Sequence, residues 1–255
     1  MESFSEQAIK AKAKPKATTK KQPQRTIALA VVLLGLVLIA VALWGIGPDL
    51  LDDFEARREY SGLRKDFTLP DDMDCLREVN SDLVGWLVIP GTRVNYPVVQ
   101  GQDNVKYLKT TFRGKQNPAG AIFMDYRITA PFASPTSMVY GHNMRDGSMF
   151  ATLNSYLDAD FLSAHSEVVI YTPWGETLYY QILKARRVFA DDPVFSLDFN
   201  DPDSRVHFDV FFESPEVDEG AVTDLATTGD RSILVLSTCS DGQDGNARVV
   251  VVAVK

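Results

Sequence analysis

The chain has 255 residues, of which 45% are hydrophobic and 24% are charged, a balance that is typical of globular proteins and excludes a disordered or fibrous chain. Its 2 cysteines and 3 histidines exclude a disulfide-scaffolded mini-protein and an all-cysteine zinc site, and no metal or cofactor motif occurs, so we expect no cofactor. The formal net charge of −8 argues against a nucleic-acid partner, because binding to phosphates requires a basic face.

The charges are divided unequally along the chain. Residues 1–25 carry seven basic and two acidic side chains, and this net charge of +5 leaves −13 for the residues that follow. The segment has few large apolar side chains, which predicts a disordered tail. The opposite signs indicate that the basic tail and the acidic body lie in different compartments.

A membrane-spanning segment is predicted between the tail and the body. Residues 27–46 read IALAVVLLGLVLIAVALWGI without a charged side chain, and a helix of about 20 apolar residues spans a bilayer core of about 30 Å. No small-residue cleavage site follows, which favours an uncleaved signal anchor over 26–47 rather than a cleaved signal peptide. Because basic residues precede the span and acidic residues follow it, the N-terminus is expected in the cytoplasm and residues 48–255 outside.

Two helical segments are expected next. Residues 48–70 are rich in charged side chains and end at Pro70, which is typical of a juxtamembrane stalk. Residues 71–80 predict a short helix with Asp71 or Asp72 as its N-cap, at the start of a domain over 71–255.

Short β segments separated by turn residues follow from Ser81 onward. Many short strands with few helices predict a sandwich or a closed barrel. One helical stretch is expected over 149–162, and a second over 203–212, within a connection of about 40 residues that is long enough to suggest a function. The predicted strands are 85–89, 96–99, 122–124, 137–140, 168–172, 177–188, 233–239 and 248–254.

Cys239 is the candidate nucleophile. It ends the apolar run 233–238 just before a loop rich in Gly and Asp, and a cysteine at the mouth of a buried strand can be held rigidly and still reach a substrate. On position alone, the alternatives are a packed free thiol and a disulfide with Cys75.

Arg248 is expected close to Cys239. The loop 240–247 is short enough for a hairpin, so the strand that begins at Arg248 would return antiparallel to the Cys239 strand. A guanidinium there could donate hydrogen bonds to an oxyanion or a peptide carbonyl. The alternative is a solvated arginine at a strand end.

His142 is the candidate acid and base among the histidines. It follows the predicted strand 137–140 at a strand-to-helix junction. His165 and His207 are expected to be ordinary surface residues. The loop 241–245 lacks the downstream Glu of a calcium loop, so we interpret it as a turn.

These residues together resemble the sortase family. Residues 236–239, LSTC, resemble the TLxTC signature of sortases, with Val235 where a threonine is usual, and Arg248 opens a hydrophobic strand nine residues later. Residues 140–143, YGHN, match the histidine motif at a strand end. The resemblance covers about residues 75–255. The run 142–150, the long connection before the Cys239 strand and the helix over 71–80 are similar to class B sortases.

The resemblance implies a closed β-barrel of about eight strands with a few peripheral helices, and a membrane-anchored cysteine transpeptidase. The Cys239 thiolate would attack the carbonyl of a threonine in a C-terminal sorting signal. His142 would protonate the departing amine, and Arg248 would hold the substrate or stabilise the oxyanion. By position, Asn104, Leu108, Ser237 and Thr238 would line the groove for the sorting signal, with Asp241 as an auxiliary residue.

The implied partners are secreted proteins with a sorting signal and an amine acceptor, either on the lipid-linked peptidoglycan precursor or on a pilin lysine. Wall anchoring and pilus assembly both stay open, as does the sorting signal itself. Two other classes are a non-catalytic extracellular binding module and an L,D-transpeptidase. The second requires a compact S-x-G-C-x-R cluster, which the sequence lacks.

Overall fold

The computed structural model describes residues 23–203, 231–239 and 246–255, without the side chains of residues 23–26, 42–50 and 239. Most of the expected tail and of the expected helix over 203–212 lies outside the described residues, as do His207 and Asp241. The chain divides into two compact units, Met1–Pro48 and Asp49–Lys255.

The first unit is helical wherever it is described. Helix α1 runs from Pro23 to Asp66 and begins in this unit. Its large apolar side chains between Ile27 and Val41 are exposed. A search of the described residues finds no helix with the length and apolar character that crossing a membrane requires.

In the second unit, the last part of α1 packs against the barrel. Ala56, Tyr60 and Leu63 are buried and lie on one helix face, at the spacing of an amphipathic helix. The Tyr60 hydroxyl donates a hydrogen bond of 2.6 Å to the carbonyl of Gly120. These residues, expected as part of a stalk, therefore contribute to the core of the unit Asp49–Lys255.

The barrel has the eight strands that the sequence predicts. The strands are β1 (Leu83–Val88), β2 (Asn95–Val99), β3 (Ile122–Met124), β4 (Thr136–Tyr140), β5 (Glu167–Tyr171), β6 (Thr177–Phe189), β7 (Ile233–Cys239) and β8 (Ala247–Val254). They close in the order β1-β2-β3-β4-β7-β8-β6-β5. The sequence of β8, ARVVVVAV, is buried almost throughout, as expected for a strand that is covered on both faces.

The remaining helices are short. Helix α2 spans Met73–Val79, where a short helix is predicted, and 3-10 helices span Lys106–Leu108 and Pro193–Phe195. The prediction of a single helix over 149–162 is wrong in detail. The segment forms two helices, a 3-10 helix over Ala151–Leu157 and helix α3 over Ala159–Ala164.

Asp158 causes this break. Its backbone is extended, with φ −92° and ψ 128°, and its carboxylate accepts a hydrogen bond of 2.9 Å from the Phe161 N–H. Aspartate at an N-cap starts a new helix in preference to continuing the previous one. The apolar periodicity therefore persists across two helices with a cap between them.

Candidate active site

Three neighbouring strands bring the predicted catalytic residues to one end of the barrel. β4 pairs in parallel with β7, with Tyr140 opposite Ser237, and extending this register by two residues sets His142 beside Cys239. β8 pairs antiparallel with β7, with Arg248 directly opposite Cys239. Paired strands lie about 4.8 Å apart. The backbone of Cys239 therefore lies between those of His142 and Arg248, whereas its side chain is outside the described atoms.

A cavity of about 300 Å³ lies at this end of the barrel. Its walls bring together six of the residues predicted from the sequence to form the site. These residues are Asn104, Leu108, His142, Ser237, Thr238 and Arg248. The walls also contain Tyr140 and Phe195, which the sequence did not indicate.

The His142 ring is held by the backbone of the 3-10 helix Lys106–Leu108. Its Nε2 lies 2.8 Å from the carbonyl oxygen of Leu108. Because a carbonyl oxygen can only accept a hydrogen bond, Nε2 carries the hydrogen. Nδ1 is then the acceptor nitrogen of the neutral ring. The role of His142 as acid and base stays a prediction.

The residue before His142 has no room for a side chain. A Cβ on Gly141 would lie 2.7 Å from the Phe150 ring and would also collide with the Ile122 side chain. Gly141 also donates its N–H to the carbonyl of Ser237 at 3.1 Å, which continues the pairing of β4 with β7. The close packing of Gly141 thus fixes the start of the His142 segment.

We expect Gly141→Ala to lower the free energy of unfolding by about 1–3 kcal/mol, because the added methyl group overpacks this contact. Peptide cleavage should fall as well, since relief of the clash shifts the His142 backbone. Gly62→Ala is the matched control, because a Cβ there meets only the Asp66 carboxylate at 3.7 Å. Equal stability of the two variants in urea unfolding would contradict this prediction.

Arg248 lies in the cavity wall rather than at an open strand end. Its side chain is half-buried, and its Nη1 donates a hydrogen bond of 2.9 Å to the carbonyl of Ala247. A guanidinium offers five N–H donors in a planar fork. Arg248 is therefore not a fully solvated arginine at a strand end, and its role in the reaction stays a prediction.

Thr238 carries a polar group that the described part of the protein leaves without a partner. Its side chain is 2% exposed, lies in the cavity wall, and its Oγ1 makes no hydrogen bond to any described residue. A buried hydroxyl without a partner costs about 1–3 kcal/mol. A hydrogen-bonding ligand in the cavity would recover that cost.

The structure does not contain the alternative disulfide between Cys75 and Cys239. Cys75 lies in α2 as a free and exposed thiol. Cys75 is therefore unpaired, and it does not form a disulfide with the proposed nucleophile Cys239.

A buried carboxylate behind the cavity was missed in the sequence. Asp125 is fully buried and accepts hydrogen bonds from the Asn104 amide at 3.0 Å and the Tyr140 hydroxyl at 2.9 Å. Arg127 donates to both oxygens of Asp125, each at 2.8 Å, and also to the carbonyl of Phe195 at 2.9 Å. Three wall residues from separate segments, Asn104, Tyr140 and Phe195, are thus linked through one ion pair. The only signal in the sequence is an acidic and a basic residue just after the predicted strand 122–124.

The environment of Asp125 favours its charged form. Burial raises the pKa of this carboxyl, but the hydrogen bonds from Arg127 and Asn104 outweigh burial and hold the pKa below its ordinary value. A lowered pKa in the folded state stabilises the protein above the unfolded pKa of about 4, and this contribution is lost as the pH falls through the folded pKa.

We expect Asp125→Asn to lower the free energy of unfolding by about 3 kcal/mol at neutral pH, because it leaves Arg127 without its charge partner. The difference from wild type should begin to shrink as the pH falls below about 4, and it should disappear only below the lowered folded-state pKa, where the wild-type carboxyl also becomes neutral. Urea unfolding at both pH values measures this. The matched control is Asp71→Asn at an exposed position, and a loss of stability that is the same at both pH values would contradict the assigned role of the charge.

Comparison with known proteins agrees with this geometry. A sortase domain model matches residues 87–255. Sortase B of Listeria monocytogenes is 32% identical over 228 residues, which covers 85% of this chain and 90% of that protein. The Staphylococcus aureus sortase B–substrate complex superposes with a TM-score of 0.68 at 28% identity and covers 80% of this chain and 97% of that one. A Streptococcus pyogenes class B sortase involved in pilus biogenesis superposes with a TM-score of 0.63 at 28% identity, covering 71% of this chain and 97% of that one.

The matched region contains β2 to β8 and the last two residues of β1, and it includes His142, Cys239 and Arg248. The relatives are matched over nearly their whole length, so the similarity is not limited to one motif. The chain therefore belongs to the sortase family of cysteine transpeptidases, and within it to class B.

Proposed function

We propose that this enzyme cleaves a C-terminal sorting signal after a threonine and transfers the protein to an amine of the cell-wall precursor. The observation that carries the proposal is the cavity at the end of β7, with His142 and Arg248 in its walls. Both residues flank the backbone of Cys239 through strand pairing. A nucleophile, an acid and base, and an oxyanion donor at one site are the groups that acyl transfer requires.

The first step would be attack by the Cys239 thiolate on the threonine carbonyl. A bond forms between Sγ and the carbonyl carbon, and the carbonyl oxygen takes up the negative charge. Arg248 faces this reaction from the opposite strand and would stabilise that oxyanion. Collapse of the intermediate breaks the C–N bond and leaves a thioacyl enzyme.

His142 would move the proton in both halves of the reaction. It would protonate the departing amine, and later deprotonate the incoming amine that attacks the thioacyl carbon. The hydrogen bond from Nε2 to the Leu108 carbonyl supports this role, because it orients the ring and leaves Nδ1 for proton exchange.

The sorting signal would bind along the cavity walls. Asn104, Leu108, Ser237 and Thr238 are the proposed groove residues, and all four line the cavity. The Thr238 hydroxyl, which has no hydrogen-bond partner among the described residues, supports this placement most directly, because a peptide N–H or carbonyl would satisfy it. Asn104 donates to Asp125 and accepts a hydrogen bond of 3.1 Å from the Tyr126 N–H, so its amide is held in a fixed orientation in the cavity wall. Asp241 stays a proposed auxiliary residue.

We place the catalytic domain, residues 71–255, on the outer face of a membrane. Residues 26–47 would be the signal anchor, with 1–25 in the cytoplasm and 48–70 as the juxtamembrane segment. The sequence of 20 uncharged residues at 27–46 supports this arrangement, as do the basic residues before it and the acidic residues after it. Secreted substrates and lipid-linked acceptors would meet the enzyme at this surface.

A second candidate function is the joining of pilin subunits, with a pilin lysine as the acceptor amine. The specific observation in its favour is the structural similarity to the Streptococcus pyogenes class B sortase, which is involved in pilus biogenesis. The two functions share the acylation half of the reaction and differ only in the amine that resolves the thioacyl enzyme.

The test uses the full chain in a non-ionic detergent, with a library of sorting peptides and two kinds of amine acceptor. One acceptor is an amine of the cell-wall cross-bridge type, and the other is a lysine-containing peptide. Mass spectrometry should find peptides cut after threonine and joined to one of the amines, which also identifies the acceptor. Binding of peptides without any cleavage would instead support the non-catalytic binding module.

A further inference from the structure

A second cavity lies between α1 and two loops within the unit Asp49–Lys255. Its volume is about 650 Å³, about twice that of the candidate active site. Three arginines, Arg57, Arg64 and Arg93, line it together with a single acidic residue, Asp146. We call this cavity the arginine cleft.

Neutral groups hold two of these guanidinium groups in place. Arg64 donates from Nη1 to the carbonyl of Asn95 at 3.2 Å, and its Cζ lies 5.4 Å from the centre of the Tyr96 ring. Arg93 donates from Nη1 to the backbone carbonyl of Asp146 at 3.2 Å. The two guanidinium groups are therefore held in place by neutral groups, and no carboxylate takes part in these contacts.

The backbone beneath Arg93 is shaped to accept it. Gly147 has a φ of +78°, a conformation that glycine adopts without strain, and a Cβ there would lie 2.7 Å from the Arg93 Nη1. A side chain at this position would require the flexible end of Arg93 to shift. Glycine therefore leaves room for the guanidinium group in the cleft.

The cleft carries an excess of positive charge. Arg57 forms an ion pair of 2.9 Å with Asp146, and this pair accounts for the single acidic side chain. Within the described ranges, Arg64 and Arg93 have no carboxylate at ion-pair distance. The cleft is therefore locally cationic, although the chain after residue 25 has a net charge of −13. Such a contrast in sign marks a site that attracts an anion.

We propose that the arginine cleft binds a ligand that carries a diphosphate group. Guanidinium forks match phosphate oxygens in geometry as well as in charge. Arg64 on α1 and Arg93 on a loop are anchored to separate carbonyl groups, those of Asn95 and Asp146. A ligand with two linked phosphates can give each guanidinium a phosphate of its own, and the cavity has the volume for both. The inference does not depend on the proposed transpeptidase function.

The test measures binding to the full chain in non-ionic detergent by isothermal titration calorimetry. The three probes are inorganic pyrophosphate, inorganic phosphate, and phosphatidylglycerol in mixed micelles. We expect pyrophosphate to bind with a Kd of about 1 mM or tighter, and more tightly than phosphate. Arg64→Gln/Arg93→Gln should weaken pyrophosphate binding at least about tenfold, because both guanidinium donors are lost. Both residues are exposed, so the variant should keep its fold.

The control is Arg58→Gln/Arg77→Gln, which removes the same charge from exposed helix positions that do not line the cleft. The affinity of this control variant for pyrophosphate should stay within about threefold of wild type, because charges that lie away from the cleft have only a weak, screened effect. Equal losses in the two double variants would overturn the proposal, because any positive surface would then suffice. Absence of pyrophosphate binding, or binding to the phosphatidylglycerol micelles alone, would overturn the diphosphate assignment.

Discussion

Cys239→Ala is expected to abolish peptide cleavage, with a loss of at least about 10⁴-fold in kcat, because the proposed mechanism has no other nucleophile. Cys75→Ala should leave kcat within about threefold of wild type, because Cys75 is an exposed thiol on α2, away from the cavity. Cleavage of a fluorogenic sorting peptide measures both rates, and alkylation with iodoacetamide should inactivate wild type and Cys75→Ala alike.

The two cysteine variants also control for each other, since each removes one thiol and adds no bulk. Similar unfolding curves for wild type and Cys239→Ala would assign the loss to chemistry rather than to folding. If Cys75→Ala were as inactive as Cys239→Ala, both thiols would be needed, and a single nucleophile could not explain the activity.

Arg248→Lys is expected to reduce kcat/KM for peptide cleavage by about 100–1,000-fold, which corresponds to about 2.7–4 kcal/mol of transition-state stabilisation. Lysine keeps the charge but replaces the planar fork with a point donor. The melting temperature should change little, because the position lies near the start of β8. Steady-state kinetics and thermal unfolding of the same preparation separate these two effects.

Arg187→Lys is the matched control for this variant. Arg187 is an exposed arginine on β6, which also pairs with β8, but it does not line the cavity. Its replacement should leave kcat/KM within about twofold of wild type. Near-wild-type turnover of Arg248→Lys would mean that only diffuse positive charge is needed, and a large fall in its melting temperature would make the arginine structural.

The sequence predicted the elements that depend on local signals. All eight strands formed at nearly the predicted positions, because most are short runs rich in apolar residues between turn residues, whereas β6 is a longer strand that also carries polar residues. The register of Arg248 opposite Cys239 follows from the short loop between their strands, so it too is a local property. The break at Asp158 was missed because the apolar spacing continues through it.

The contacts between distant segments could not be predicted in the same way. The parallel pairing of β4 with β7 joins strands that are almost 100 residues apart, and it is this pairing that sets His142 beside Cys239. Asp125 and Arg127 resemble an ordinary turn in the sequence, and their role appears only when three segments meet at their side chains. Likewise, the many charged residues at the end of α1 are typical of a stalk, so the apolar face that packs on the barrel could not be recognised from the sequence.

The most direct measurement of the central claim is the mass of the intact enzyme after mixing with a cleavable sorting peptide and no added amine. We predict a species heavier than the free enzyme by the mass of the acyl fragment that ends in threonine, and released by hydroxylamine. Proteolysis should locate the added mass on the peptide that contains Cys239. An acyl fragment on Cys75, or cleavage of the peptide without any covalent intermediate, would contradict the account.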